Sequence, residues 1–353
     1  MTSETGRKIV VVTGGSAGVG RAAVTAFARA GYDVAVLARG RAGLDGAVKD
    51  VAAAGTRGLG IVTDVADPDA VEQAAERAEA ELGQIDAWVN VAFSGALARS
   101  WDTSVEEFRR MTEVTYFGQV YGTQAALRRM RARDRGVIVN VGSALAYRSI
   151  PLQAAYCGAK HAVVGYTQSV VTELAAEKSR VRLCMVQLPG LNTPQFNWNL
   201  NKMSGHPQPV APIFSPDLAA KAIVHLAEHP RRNMWVGVST AYTILGERLA
   251  PTLLDRYLGR SGIASQSTDR DLPHWGPNVF EPRDAEVDRG AIGPFTERAH
   301  NHDPWLWASI HRGGVVGALL AAGAAALAER LLRQEARAGP FSDRRPARVR
   351  GDR

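Results

Sequence analysis

Short β-branched runs alternate with alanine-rich stretches of helical spacing through the first two thirds of the chain. Residues 8–13, Lys-Ile-Val-Val-Val-Thr, suit a strand buried on both faces. A glycine turn follows, and Arg21–Ala30 then reads as a helix that stops at Gly31. Asp33–Ala38, Gly58–Val62 and Ile85–Asn90 continue the strands, with a helix over Pro68–Leu82 between the last two. Cys184 falls in a sixth strand, and Met234–Val238 reads as a further one. Such β-α repetition predicts an α/β fold: a doubly wound parallel sheet of Rossmann type with helices on both faces. A ligand then belongs at the carboxyl ends of the strands.

Past residue 240 the pattern changes. Ile244, Leu245, Leu249, Leu253 and Leu254 stand at helical spacing within 241–260. Residues 261–304 are rich in Pro, Asp, Gly, Ser and His and predict an irregular arm that wraps the domain or a partner subunit. His300, His302 and Asp303 read there as polar loop residues, so no metal site is expected. Residues 313–328 carry no charge but are mostly alanine and glycine, shorter than the ~20 apolar residues of a spanning helix. Packing on protein is the first reading for this helix. A membrane-surface contact anchored by Trp305 and Trp307 is the second, and a true span the third. The domain division is therefore 1–240, an arm over 241–304, an apolar helix over 305–336 and a basic tail over 337–353.

Charge adds little to this picture. The net +7 arises in good part from residues 328–353, where eight arginines oppose four acids. No nucleic-acid-binding motif accompanies them, so no specific nucleic-acid partner is expected. Cys157 and Cys184 are the two cysteines and read as small buried apolar residues. With residues 1–7 polar and no secretory pattern before Lys8, a cytoplasmic protein is expected, possible peripheral membrane contact aside.

The candidate chemistry begins at the glycine turn. Gly14, Gly18 and Gly20 sit between a strand and a helix, where missing side chains let backbone approach a pyrophosphate. The second strand ends in Ala38-Arg39, without the acidic residue that would hold ribose hydroxyls. A guanidinium there suits a 2′-phosphate, so NADP(H) is expected in preference to NAD(H). Asp64, beside Val65 after the third strand, could accept a hydrogen bond from adenine. Tyr156 and Lys160 share a helix face at i and i+4, and the cation would lower the tyrosine pKa. Ser143, thirteen residues before Tyr156, could hold a substrate oxygen. Together they make a proton-transfer site for a carbonyl or alcohol.

In order and spacing, Thr13-Gly14 with Gly18 and Gly20, Asp64, Asn90, Ser143, Tyr156, Lys160 and Pro189-Gly190 resemble the short-chain dehydrogenase/reductase family, over roughly residues 7–240. The resemblance implies Tyr156 as acid/base, Lys160 as the group that lowers its pKa and binds the nicotinamide ribose, and Ser143 as the residue that orients the substrate carbonyl. Further implied cofactor contacts are Thr13, Ser16, Val19, Asn90, Ala92, Pro189, Gly190 and Thr193. Two positions depart from the family. Phe93 replaces a glycine after Asn90-Val91-Ala92, and Thr115 stands where an asparagine of the proton relay is usual. Residues 191–214, with Phe196, Trp198, Leu200, Met203 and Pro207, imply a lid over an apolar pocket to which Leu145 and Tyr147 add. The expected function is NADPH-dependent reduction of a hydrophobic carbonyl, or the reverse oxidation. The alternative is a weakly active or inactive NADP(H)-binding regulatory or assembly protein. Helices near 115–133 and 154–178 imply a homodimer or tetramer.

Overall fold

The computed structural model describes residues 6–338; of the basic tail expected over 337–353, everything from residue 339 on lies outside the described residues. The chain forms two units, divided after Trp307. In the first, seven strands build one parallel sheet: β1 (Ile9–Thr13), β2 (Asp33–Ala38), β3 (Gly58–Val62), β4 (Ile85–Asn90), β5 (Val137–Val141), β6 (Arg182–Gln187) and β7 (Asn233–Trp235). Their order across the sheet is β3-β2-β1-β4-β5-β6-β7, and every pairing is parallel. Every residue of β1 and β2 is buried, as continuous apolar runs covered on both faces require. The chain reverses its winding between β1 and β4, so the crevice at their carboxyl ends is the topological switch point. β7 stops short of the expected Val238 because Gly237 takes a left-handed φ of 77° and turns the chain into the next helix.

The flanking helices are α1 (Gly18–Arg29), α2 (Arg41–Ala53), α3 (Pro68–Leu82), α4 (Val105–Thr112), α5 (Gly118–Ala132), α6 (Ala154–Ala176) and α7 (Pro216–Glu228). Asp67 caps α3 through its side chain, and Ser104 with Glu107 forms a capping box on α4. One π-helical turn, Glu113–Phe117, joins α4 to α5, so the helix expected to start near 115 continues through a bulge. The single helix expected over 241–260 is two, α8 (Val238–Leu249) and α9 (Pro251–Ser261). Pro251 lacks an N–H and disfavours helical geometry at Ala250, which sits at φ −147°, ψ 56°. Of the leucine-rich face, Ile244 is buried, whereas Leu249 and Leu253 are exposed.

Residues 261–304 wrap the domain. Thr268 and Ser267 pair antiparallel with His206 and Pro207 of the lid, and Ala299–His300 pair parallel with Ile213–Phe214. Asp303 accepts the Gly237 N–H at 2.7 Å. Between those anchors the Val279 side chain is buried with Ala96, Ala98 and Met111, and Phe295 packs with Phe196 and Ile213. Then come α10 (Pro304–Ile310) and α11 (Arg312–Ala338). Residues 312–330 of α11, with a mean hydropathy of 1.3, are long and apolar enough to cross a membrane by length and composition alone.

Two residues expected to touch a ligand hold the sheet through their side chains. The Asn90 side chain is fully buried, accepts the Trp88 indole N–H at 2.8 Å and donates to Asn140 at 2.8 Å and Thr123 at 3.1 Å. Asn140 passes the chain on to Thr167 of α6 at 3.0 Å. The Thr13 hydroxyl accepts the N–H groups of Val91 and Ala92 at 3.1 and 3.3 Å, pinning β1 to the segment after β4. Low dielectric makes such a satisfied network stiff and its interruption costly. Asn90→Leu orphans the Trp88 N–H and should cost about 2–4 kcal/mol. Urea unfolding, with a lowered midpoint and an unchanged m-value, checks it; an unshifted midpoint would refute the network's role.

Candidate active site

The sheet's switch point opens into one cavity of about 440 Å³. It is lined from Arg39, Asp64 and Val65 past Gly14, Ser16, Gly18, Val19 and Gly20, then by Ala92, to Ser143, Tyr156, Lys160, Pro189, Gly190 and Thr193. Most of the site residues read from the sequence therefore meet in one place. Thr13, Asn90 and Thr115 do not line it.

Backbone proximity explains the glycines. Gly14 has φ 66°, and a Cβ there would lie 2.7 Å from the Ala92 Cα. A Cβ on Gly20 would lie 2.1 Å from the Gly14 carbonyl oxygen, so α1 starts directly against the turn. No side chain caps the N-terminus of α1, whose positive dipole end faces the cavity. Thr193, on the turn after β6, stands opposite Gly18.

At the other end, α6 carries Tyr156 and Lys160. Lys160 is 2 % exposed and donates to the Val141 carbonyl at 2.7 Å, with its Nζ 5.7 Å from the Tyr156 ring centre. Burial pushes the lysine pKa down to about 7. Burial also pushes the Tyr156 phenol well up, against which a hydrogen bond with Ser143 works. Desolvation of the phenol thus dominates here, where the expectation was a lysine that lowers it. Ser143 also accepts the Leu145 N–H at 3.1 Å, which fixes its hydroxyl at the start of a short helical turn. Phe93 stands edge-on to Tyr156, ring centres 5.7 Å apart, and forms one wall.

Thr115 sits in the π-helical turn, where its hydroxyl donates to the Ser94 carbonyl and accepts the Ser94 N–H, each at 2.9 Å. Its single proton is engaged there, and the pair of bonds fixes the loop after β4. The lid contributes Gln195, Phe196, Trp198, Asn199 and Val210 to the cavity, whereas Leu200, Met203, Pro207 and the Tyr147 ring stay out of it. Tyr242, Thr243, Leu254 and Tyr257 of α8 and α9 complete the apolar end. Arg148, in that wall, is matched by Glu247 at 2.8 Å and Asp255 at 2.7 Å.

Arm residues unannounced by the sequence complete the end of the cavity beside Arg39. The Arg39 guanidinium donates to the carbonyls of Asn278, Val279 and Phe280 at 2.7, 3.3 and 2.8 Å. Arg110 bonds both Asp64 and the Val279 carbonyl. Asp284 lines the same end of the cavity. No local spacing links these residues to a strand some 240 positions earlier, so only the folded chain reveals them.

Comparison with known proteins agrees with this geometry. The family model for short chain dehydrogenase matches residues 8–204. The uncharacterized oxidoreductase YxnA of Bacillus subtilis is 31% identical over 268 residues, 74% of either chain. Among solved structures, a short-chain type dehydrogenase/reductase from Mycobacterium marinum superposes with a TM-score of 0.56 at 25% identity, over 66% of this chain and 94% of its own. An alcohol dehydrogenase from the archaeon Thermococcus sibiricus, complexed with 5-hydroxy-NADP, gives 0.54 at 25% identity, over 65% and 95%. With the family model spanning more than half its length and the parallel sheet and cleft in place, the chain belongs to the short-chain dehydrogenase family and carries that family's NAD(P)(H)-binding oxidoreductase fold.

Proposed function

We propose that the chain reduces a hydrophobic carbonyl, or oxidises the corresponding alcohol, with NAD(P)(H), Tyr156 serving as acid/base. The meeting of Tyr156, Ser143 and Lys160 at one end of a cavity whose other end is a glycine-turn groove carries this reading. The residues present fit the dinucleotide: the groove is continuous, its turn admits close backbone approach, and an uncapped helix end faces it. When bound, the nicotinamide supplies or accepts a hydride.

The protein's own part is proton delivery and positioning. Ser143 and Tyr156 share a hydrogen bond, so an oxygen placed between them receives two hydroxyl groups. Tyr156 gives the proton at that oxygen, and Lys160, held by the Val141 carbonyl, sits behind its ring. The apolar wall of Phe93, Trp198, Tyr242, Leu254 and Tyr257 favours an uncharged, hydrophobic substrate, since Arg148 is already matched by two carboxylates. Arg39, the reason to expect NADP(H), still lines the adenosine end, but its bonds to three carbonyls weaken that reason.

Turnover measured on hydrophobic ketones, aldehydes and quinones should fall about 10²–10⁴-fold in Tyr156→Phe, with nucleotide binding retained. Equal turnover in the variant would remove Tyr156 from the mechanism, and an inactive but nucleotide-binding wild type would favour a regulatory protein. The raised phenol pKa fixes a second outcome. Reduction needs the protonated phenol and should stay level through neutrality, while alcohol oxidation needs the phenolate and should climb with pH into the alkaline range. An oxidation rate already level at neutral pH would contradict it.

The buried lysine has a signature of its own. Its folded pKa near 7 lies below the ordinary 10.5, so between those values the unfolded chain binds more protons. Stability should therefore rise with pH from about 7 toward 10.5, and a thermal-midpoint series should lose that slope in Lys160→Met. The same slope in both proteins would place its origin elsewhere.

A further inference from the structure

Resting on the dinucleotide reading above, we propose that Asp284, from the C-terminal arm, is the residue that selects the cofactor. It would accept the adenosine ribose hydroxyls and make NAD(H), not NADP(H), the preferred partner.

The end of β2 is where a dinucleotide binder of this topology places its ribose acceptor. Here β2 ends in Ala38-Arg39 and brings no acid of its own. Asp284 arrives at that place from far along the chain. It is 5 % exposed and lines the cavity beside Arg39 and Ser16. Its backbone is fixed there, because its carbonyl accepts the Gly43 N–H at 3.0 Å and the Ala285 carbonyl accepts the Ala42 N–H at 3.1 Å. Glycines make the room: a Cβ on Gly40 would lie 1.9 Å from one Asp284 carboxylate oxygen, and one on Gly43 would lie 2.5 Å from the other.

The carboxylate makes no hydrogen bond to any described residue, although it is buried at a helix N-terminus. Hydrogen-bond donors that enter the cavity beside it therefore meet a charged acceptor. A vicinal diol brings two. A 2′-phosphate brings about two further negative charges against the same oxygens. Arg39, the only cation contributed by the β2 end, has given three of its N–H groups to the arm carbonyls of 278–280, and Arg110 is paired with Asp64. The hydrogen bonds of both guanidinium groups are therefore given elsewhere, Arg39 meets Asp284 through space alone, and the carboxylate oxygens stay open to donors.

Dissociation constants of NADH and NADPH, read from nucleotide fluorescence on the full chain without substrate, test this. The wild type should bind NADH at least about tenfold more tightly. Asp284→Asn should shrink that ratio about tenfold or more by removing both the acceptor and the repulsion. Asp288→Asn loosens the same arm at its Arg21 ion pair and should leave the ratio unchanged. Tighter NADPH binding in the wild type would overturn the proposal even if the Asp284 variant failed to fold. An unchanged ratio in Asp284→Asn, or an equal shift in Asp288→Asn, would do the same. Binding of neither nucleotide would sink the dinucleotide reading and this inference together. Selective NADH binding without turnover on any carbonyl would support the inference while the oxidoreductase reading failed.

Discussion

The close passage of the β1 turn across the segment after β4 governs this molecule. Thr13 receives the Val91 and Ala92 N–H groups, and Gly14 leaves no room for a side chain against the Ala92 backbone. That contact fixes the floor of the cleft where the sheet changes its winding. From it the loop runs through Phe93, which meets Tyr156, to Ser94, which Thr115 grips from both sides. The spacing between the glycine turn and the reactive tyrosine is thus set by backbone held in place by buried hydroxyls.

This arrangement explains what the sequence made legible. Strands β1 and β2 were readable because a strand covered on both faces must be almost wholly apolar, and each such run is bounded by glycine or helical spacing. The glycine turn, Ser143, Tyr156 and Lys160 line one cavity, and it is their joint order along the chain, not any one spacing, that linked them. Thr13, Asn90 and Thr115 stand in the expected neighbourhood, with hydrogen bonds to backbone and side chains of the protein that spacing did not announce. A short polar side chain in a motif can touch a ligand or hold the backbone that touches it, and spacing alone does not separate the two. Burial separates them: each is at most 1 % exposed, with its hydrogen bonds turned inward.

Electrostatics were less legible still. From residue types alone, an ammonium near a phenol lowers the phenol pKa. The folded site buries both groups, and the cost of removing charge from water raises the tyrosine and depresses the lysine together. A carbonyl at 2.7 Å is the lysine's hydrogen-bond partner within the chain, so its charge is held cheaply only when further acceptors reach it. The pair therefore stores a mismatch that a bound ligand with hydroxyl groups can relieve.

The arm shows the limit of local reading most clearly. It starts on the lid at 267–268, crosses Arg39 with 278–280, lies along α2 at Asp284 and α1 at Asp288 and Gly290, then returns to the lid at 299–300. Ordering each residue of such a path costs about 1–2 kcal/mol of backbone entropy. Few apolar side chains offset this, chiefly Val279 and Phe295, and backbone hydrogen bonds do much of the rest. A segment held that way has no periodicity to betray it. Because it begins and ends on the lid and passes the adenosine end between, the lid and the cofactor groove share one continuous stretch of chain. Whatever displaces the arm at Asp284 therefore pulls on the same stretch of chain that pairs with 206–207 and 213–214.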